Sequence, residues 1–147
     1  MSVNHAKNVT RIAIGQELPL ICKTISQARM VVYAAATWDF INLHYDADYV
    51  RERGFKAPFV DGQMLGAYLT QVVQNWAGPK SFLQKLSFRN RKMVFAGDVL
   101  TCGGTVTAVS KEGNVVQVHL DLWVQNQCGE SILKPASAQV RIVGGLD

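Results

Sequence analysis

The stretch GQMLGAYLTQVVQNWAGP, residues 62–79, carries the strongest helix signal in this chain. Its large apolar side chains recur at i, i+1, i+4, i+5, i+8, i+9 and i+12, which places them on one broad stripe of a helix. These side chains are Met64, Leu65, Tyr68, Leu69, Val72, Val73 and Trp76. Gly78-Pro79 ends the pattern, because proline cannot continue a helix and glycine favours its C-terminal end. We therefore expect a helix from Gly62 to Trp76 with a buried face.

The pattern changes to strands after this helix. Alternating or Thr/Val-rich segments cover residues 82–89, 99–110, 116–124 and 132–143. Turn residues separate them, and Glu112-Gly113-Asn114 is a hairpin signal. Pro135 lies inside the last segment, which predicts a bulge or an edge strand there, because proline cannot donate a ladder hydrogen bond.

Shorter elements precede the long helix. Residues 17–24 predict a strand, and Ser26 is suited to cap a helix that ends near Thr37-Trp38. Residues 46–53 predict a second short helix. Apolar side chains recur at helical spacing in the first of these helices, namely Ala28, Val31, Val32, Ala35 and Ala36.

Helices that come early and strands that follow them predict an α+β fold with the long helix on one face of a curved antiparallel sheet. This layout is that of a hot-dog fold. The length predicts one domain spanning residues 1–147, with the polar residues 1–10 as a flexible tail.

Composition narrows the function classes. The net charge of +4 suits a small anionic ligand and is too weak to indicate nucleic acid, and the charged content of 18% suggests a surface partly covered by another subunit. The cysteines, Cys22, Cys102 and Cys128, are odd in number and lack metal-ligand spacing. Neither a signal peptide nor an apolar run of about 20 residues is found, so we expect a reduced, cytoplasmic protein away from membranes.

The octapeptide DFINLHYD, residues 39–46, is the candidate catalytic segment. Asp39 and His44 are five residues apart just past a predicted helix end, where they can converge on one water molecule for acid–base chemistry. The segment resembles the hydratase motif of the MaoC-like branch of hot-dog proteins, which includes the R-specific enoyl-CoA hydratases. Two further markers support the resemblance, which covers residues 14–143: Asp61-Gly62-Gln63-Met64-Leu65, and Phe88 followed by Gly97-Asp98.

The resemblance implies an enoyl-CoA hydratase in which Asp39 and His44 activate one water for addition across the C2=C3 bond. It implies that the Gly62 amide stabilises the thioester oxyanion, and that Asn42 orients the loop or contacts the thioester. Arg89 and Arg91 would meet the phosphates of coenzyme A, which enters as part of the substrate; no other cofactor and no metal is expected. A homodimer with a continuous sheet or a higher homo-oligomer is expected, or a heteromer with another hot-dog subunit.

Two departures from the family pattern leave alternatives open. Leu43 replaces the usual proline, and Asp61 replaces the usual histidine. Asp61 is either an N-cap or the carboxylate of a hot-dog acyl-CoA thioesterase. His44 is alternatively a structural loop histidine, and residues 89–92 a solvated strand end. The chain is also similar to small subunits of bacterial steroid side-chain hydratases, so a non-enzymatic subunit that completes a partner's acyl pocket is a further hypothesis.

Overall fold

The computed structural model describes residues 12–144, so the predicted N-terminal tail lies outside the described residues. Within them the predicted order of helices and strands is confirmed. The elements are β1 (Ile21–Thr24), α1 (Gln27–Thr37), a 3-10 turn (Asn42–His44), α2 (Ala47–Glu52), α3 (Gly62–Ala77), β2 (Ser81–Asn90), β3 (Val99–Glu112), β4 (Val115–Gln125) and β5 (Ser131–Val143).

The five strands form one antiparallel sheet in the order β1-β3-β4-β5-β2. Its two edges differ in length, since β1 has 4 residues and β2 has 10. The predicted hairpin joins β3 to β4, with Gly113 at φ 58 where a side chain would be strained. Pro135 lies in β5, which is flanked on both sides, so the edge alternative is wrong. The pairing of β5 is irregular around Pro135, as the bulge alternative predicted.

α3 packs its predicted apolar stripe onto the sheet, which gives the hot-dog arrangement of a helix against a curved sheet. Leu69 and Val72 are fully buried, whereas Tyr68 is partly exposed. The helix approaches β2 closely at Gly66. A Cβ atom added there would lie 2.5 Å from Cε1 of Phe88, so only glycine fits without displacing the ring.

The predicted limits of α1 are confirmed, but the apolar residues that recur at helical spacing are not the ones that the fold buries. Ser26 caps the helix by accepting a hydrogen bond from the Arg29 amide at 3.2 Å. Met30 and Ala34 are the buried residues of α1, whereas Val31 and Val32 face solvent. The stripe of small apolar residues therefore lies on the outer surface.

Two strands also differ from the prediction. The first is shorter than residues 17–24, because Glu17 makes only an isolated bridge to Thr105 before β1 begins. The alternation of β2 is interrupted by a register shift between Leu83 and Lys85. Phe82 consequently faces solvent, while Leu83 packs against the core.

Candidate active site

The segment 39–46 is held between two helix ends. Trp38 is the C-cap of α1 in the left-handed conformation at φ 59, and the following amide of Asp39 donates to the Ala34 carbonyl at 2.9 Å. Asp46 is the N-cap of α2, and its carboxylate accepts hydrogen bonds from the Asp48 and Tyr49 amides. Both ends of the segment are thereby fixed, and the 3-10 turn between them carries His44.

His44 is the one buried polar side chain of the described chain, with 9% of its surface exposed. Its Nδ1 lies 2.8 Å from the carbonyl oxygen of Phe59. A carbonyl oxygen only accepts, so Nδ1 of the imidazole carries the proton. Nε2 of the neutral ring is then an unprotonated acceptor, which is the form that a general base requires.

A narrow pocket lies between α1 and the start of α3, and His44 lines it. Asp61 is the predicted site residue that joins His44 there. The lining residues are Met30, Tyr33, Ala34, His44, Asp61 and Met64.

Asp61 is the N-cap of α3, as the capping alternative predicted. Its Oδ1 accepts a hydrogen bond from the Gln63 amide at 2.8 Å. This contact satisfies a first-turn amide that has no partner within the helix. The cap accounts for the carboxylate at this position without a thioesterase role.

Tyr33 is a pocket residue that the sequence did not reveal. Burial raises the pKa of its phenol, and the carboxylates of Asp61 and Asp39 raise that pKa further. The phenol therefore stays protonated at neutral pH and is a hydrogen-bond donor. Asp39 does not itself line the pocket, but its charge acts on the Tyr33 phenol that does.

The side chain of Asn42 makes a hydrogen bond within the segment 39–46. Its Oδ1 lies 2.9 Å from the Tyr45 hydroxyl, which also lies 2.6 Å from the Phe40 carbonyl oxygen. These contacts tie three residues of the segment together. They match the loop-orienting alternative, and Asn42 is not among the residues that line the pocket.

Gly62 begins α3 beside the pocket. Within residues 12–144 its amide donates no hydrogen bond, whereas the amides of Gln63 and Met64 are both taken by Asp61. A Cβ atom added at Gly62 would lie 2.6 Å from Nδ2 of Asn90. The space that glycine leaves is therefore filled by the Asn90 amide, a contact that the sequence did not predict.

The basic run of residues 89–92, at and just beyond the end of β2, flanks this contact. Arg91 donates from Nε to the Lys134 carbonyl oxygen, and Lys92 pairs with Glu130. Arg89 is exposed and makes no hydrogen bond or ion pair within the described residues. Of the predicted phosphate contacts, Arg89 is thus the side chain that has no other partner there.

Two kinds of feature are absent from residues 12–144. In that range no group of three or more His, Cys, Asp or Glu residues is close enough to hold a metal ion. No helix between its ends is long and apolar enough to cross a membrane.

Because Asp61 caps α3, we expect two substitutions at this residue to change the free energy of unfolding by different amounts. Asp61→Asn should leave the free energy of unfolding within about 0.5 kcal/mol of the wild type, because Asn caps as well as Asp. Asp61→Ala should lower it by about 1 kcal/mol, because the Gln63 amide loses its acceptor. Urea unfolding of both variants checks this. Equal losses in the two variants would show that charge, and not capping, stabilises this end of α3.

Known proteins resemble this chain along most of its length. A family model described as "MaoC like domain" matches residues 9–126. The 3-oxo-4,17-pregnadiene-20-carboxyl-CoA hydratase beta subunit of Mycobacterium tuberculosis is 31% identical over 97 residues, which are 66% of this chain and 75% of that protein. The (R)-specific enoyl-CoA hydratase of Aeromonas caviae is 26% identical over 128 residues, 84% of this chain and 95% of that protein.

The fold is similar to solved structures as well. The (R)-hydratase from A. caviae involved in PHA biosynthesis superposes with a TM-score of 0.79 at 25% identity. The match covers 89% of this chain and 97% of that chain.

Proposed function

This chain belongs to the MaoC-like domain family, and we propose from that premise that it adds water across the C2=C3 bond of an enoyl-CoA. The orientation of His44 carries the proposal. Its Nδ1 is engaged by the Phe59 carbonyl, which leaves Nε2 as the acceptor atom of a side chain that lines the pocket.

In the proposed reaction, Nε2 of His44 accepts one hydrogen of a water next to the pocket. The Asp39 carboxylate, which lies outside the pocket lining but close enough for its charge to act on the Tyr33 phenol, accepts the other hydrogen. The water oxygen forms a bond to C3 as His44 takes its proton, and the π electrons of C2=C3 move onto the thioester as an enolate. A proton then returns to C2, which gives a 3-hydroxyacyl-CoA. Dehydration follows the same steps in reverse.

The start of α3 supplies a hydrogen-bond donor for the enolate oxygen. The unpartnered Gly62 amide lies at a helix N-terminus, where aligned peptide dipoles place partial positive charge. Preorganised amides of this kind stabilise a developing oxyanion without reorganisation. Arg89, which has no partner within the described residues, is suited to a phosphate of coenzyme A.

A spectroscopic assay tests the proposal. Crotonyl-CoA and enoyl-CoAs with longer or bulkier acyl groups are incubated with the purified chain, and loss of the enone absorbance is followed. Intact-mass detection should show products heavier by one water. If no enoyl-CoA in this series gains water, the hydratase proposal fails.

We also propose a dimer that forms through β2. This strand is 10 residues long, lies at the edge of the sheet and leaves one row of backbone groups unpaired. Such an edge readily pairs with another strand. Light scattering of the purified chain should give twice the chain mass, and a monomer at all concentrations would contradict the proposal.

A specific surface favours a second candidate function, that of a subunit in a heteromeric hydratase. Five large apolar side chains of residues 31–41 are exposed, with Trp38 at 83%, and together they form the 31–41 patch. Its members are Val31, Val32, Trp38, Phe40 and Ile41. Within the patch the rings of Trp38 and Phe40 lie edge to face, with centroids 5.2 Å apart. Exposed apolar surface of this kind marks a contact site, and the Mycobacterium tuberculosis relative is itself named a beta subunit.

The two candidate functions differ in where the chemistry resides. In the subunit role, the chain alone is inactive and gains activity when a second hot-dog protein is co-expressed. His44→Ala in that complex then leaves hydration unchanged, because the partner carries the acid–base groups. Loss of activity in the same complex with His44→Ala would place the chemistry in this chain.

A further inference from the structure

The side chains that line the pocket beside His44 include more hydrogen-bond acceptors than donors. Three of its described lining side chains are apolar, and the polar ones are Tyr33, His44 and Asp61. Nε2 of His44 is an acceptor because Nδ1 holds the proton, and the Asp61 carboxylate is an acceptor as well. Tyr33 is therefore the side-chain donor among the described lining residues.

The Tyr33 hydroxyl is available for a ligand. It makes no hydrogen bond within residues 12–144, although the ring packs against the core. A partly buried tyrosine usually finds a partner for its hydroxyl. A phenol with its ordinary pKa is already protonated at physiological pH, and burial together with two carboxylates raises the pKa of Tyr33 further. The hydroxyl is therefore a neutral donor on a side chain that lines the pocket.

We propose that the Tyr33 hydroxyl donates a hydrogen bond to the oxygen atom at C3 of the bound acyl group. This inference rests on the proposed hydration. The oxygen belongs to the attacking water in the forward direction and to the 3-hydroxyl group in reverse. The ligands that the site favours are accordingly acyl thioesters with an oxygen at C3.

The geometry of water explains why a donor is needed. His44 and Asp39 accept its two hydrogens, which leaves two lone pairs on the oxygen. A hydrogen bond from Tyr33 occupies one lone pair and leaves the other directed at C3. During dehydration the same hydrogen bond holds the 3-hydroxyl oxygen while His44 returns the proton, the C3–O bond breaks and water leaves. Because the equilibrium constant is unchanged, kcat/KM should fall by the same factor in both directions without the phenol.

Tyr33→Phe isolates this role, because it removes the hydroxyl and keeps the ring that packs against the core. Tyr49→Phe is the matched control: Tyr49 lies on α2 with its ring under Arg53, outside the pocket. The binding probes are acetoacetyl-CoA, which has an oxygen at C3 and cannot be dehydrated, and butyryl-CoA, which lacks that oxygen. Isothermal titration calorimetry measures both affinities.

We expect the wild type and Tyr49→Phe to bind acetoacetyl-CoA about 5- to 10-fold more tightly than butyryl-CoA, the range of one hydrogen bond. Tyr33→Phe should bind the two esters equally. Its kcat for crotonyl-CoA hydration should fall about 10-fold with KM little changed. A role confined to packing would leave the preference for the 3-oxo ester intact.

The outcomes separate this inference from the proposed function. A preference that persists in Tyr33→Phe, or that is missing from the wild type, overturns the role of Tyr33. A wild type that prefers the 3-oxo ester through Tyr33 but hydrates no enoyl-CoA supports the contact and refutes the hydratase.

Discussion

His44→Ala is expected to lower kcat/KM for enoyl-CoA hydration by about 10²–10⁴-fold, the range for loss of one general acid–base group. The substitution removes the Nε2 that accepts the water proton, and no other imidazole of residues 12–144 lines the pocket. Asp39→Asn should cause a loss in the same range, because the amide cannot accept the second hydrogen of the water in the same way.

Matched controls for these variants exist on β4. His119 and Asp121 are exposed residues of the same types on that strand. His119→Ala and Asp121→Asn should keep the wild-type kcat/KM. Thermal unfolding monitors folding, since His44→Ala also removes the hydrogen bond to Phe59. Wild-type activity in either site variant, with folding intact, would remove that residue from the mechanism.

Gly66→Val is expected to lower the free energy of unfolding by about 3 kcal/mol, the upper part of the usual range for overpacking. Helix propensity alone predicts the opposite sign, because glycine is the poorer helix former of the two by a few tenths of a kcal/mol. Packing should win, since the first added carbon already lies 2.5 Å from the Phe88 ring.

Two further variants separate packing from propensity. Ala67→Val introduces the same side chain on the exposed side of α3, and should change the free energy of unfolding by less than about 1 kcal/mol. Phe88→Ala opens the space that valine needs, so the double variant should be more stable than the sum of the single losses predicts. Additive losses measured by urea unfolding would show that the ring is not the obstacle.

The sequence predicted the fold well in elements that have a single apolar face. The stripe of α3 and the alternation of β4 each bury one face, and the caps Ser26 and Asp61 fix where helices begin. α1 is different because both of its faces are apolar. Periodicity locates such a helix but cannot choose between a face that packs on its own core and a face left exposed.

The same ambiguity explains what was missed at the site. His44 and Asp61 were predicted because short motifs carry them, and the structure brings both to one pocket. Tyr33 lies on the face of α1 that was not expected to be buried, so nothing linked it to His44. Met30, Tyr33 and Ala34 do follow helical spacing, and this weaker stripe was the available signal. The Phe59 contact joins residues 15 apart, which no local pattern encodes.

The unequal lengths of the two sheet edges limit how many copies of the chain can join through their sheets. Two chains joined by β2 in a two-fold arrangement bury the same edge from both sides, so the contact is self-complementary and closes. The outer boundary of such a pair is the opposite side of the sheet, where the 4 residues of β1 and the isolated bridge of Glu17 cover only part of β3. Such a short and interrupted edge offers a poorer template for another strand than β2 does. Assembly through β2 therefore stops at a dimer, whereas two long exposed edges would let subunits add without limit into an open filament.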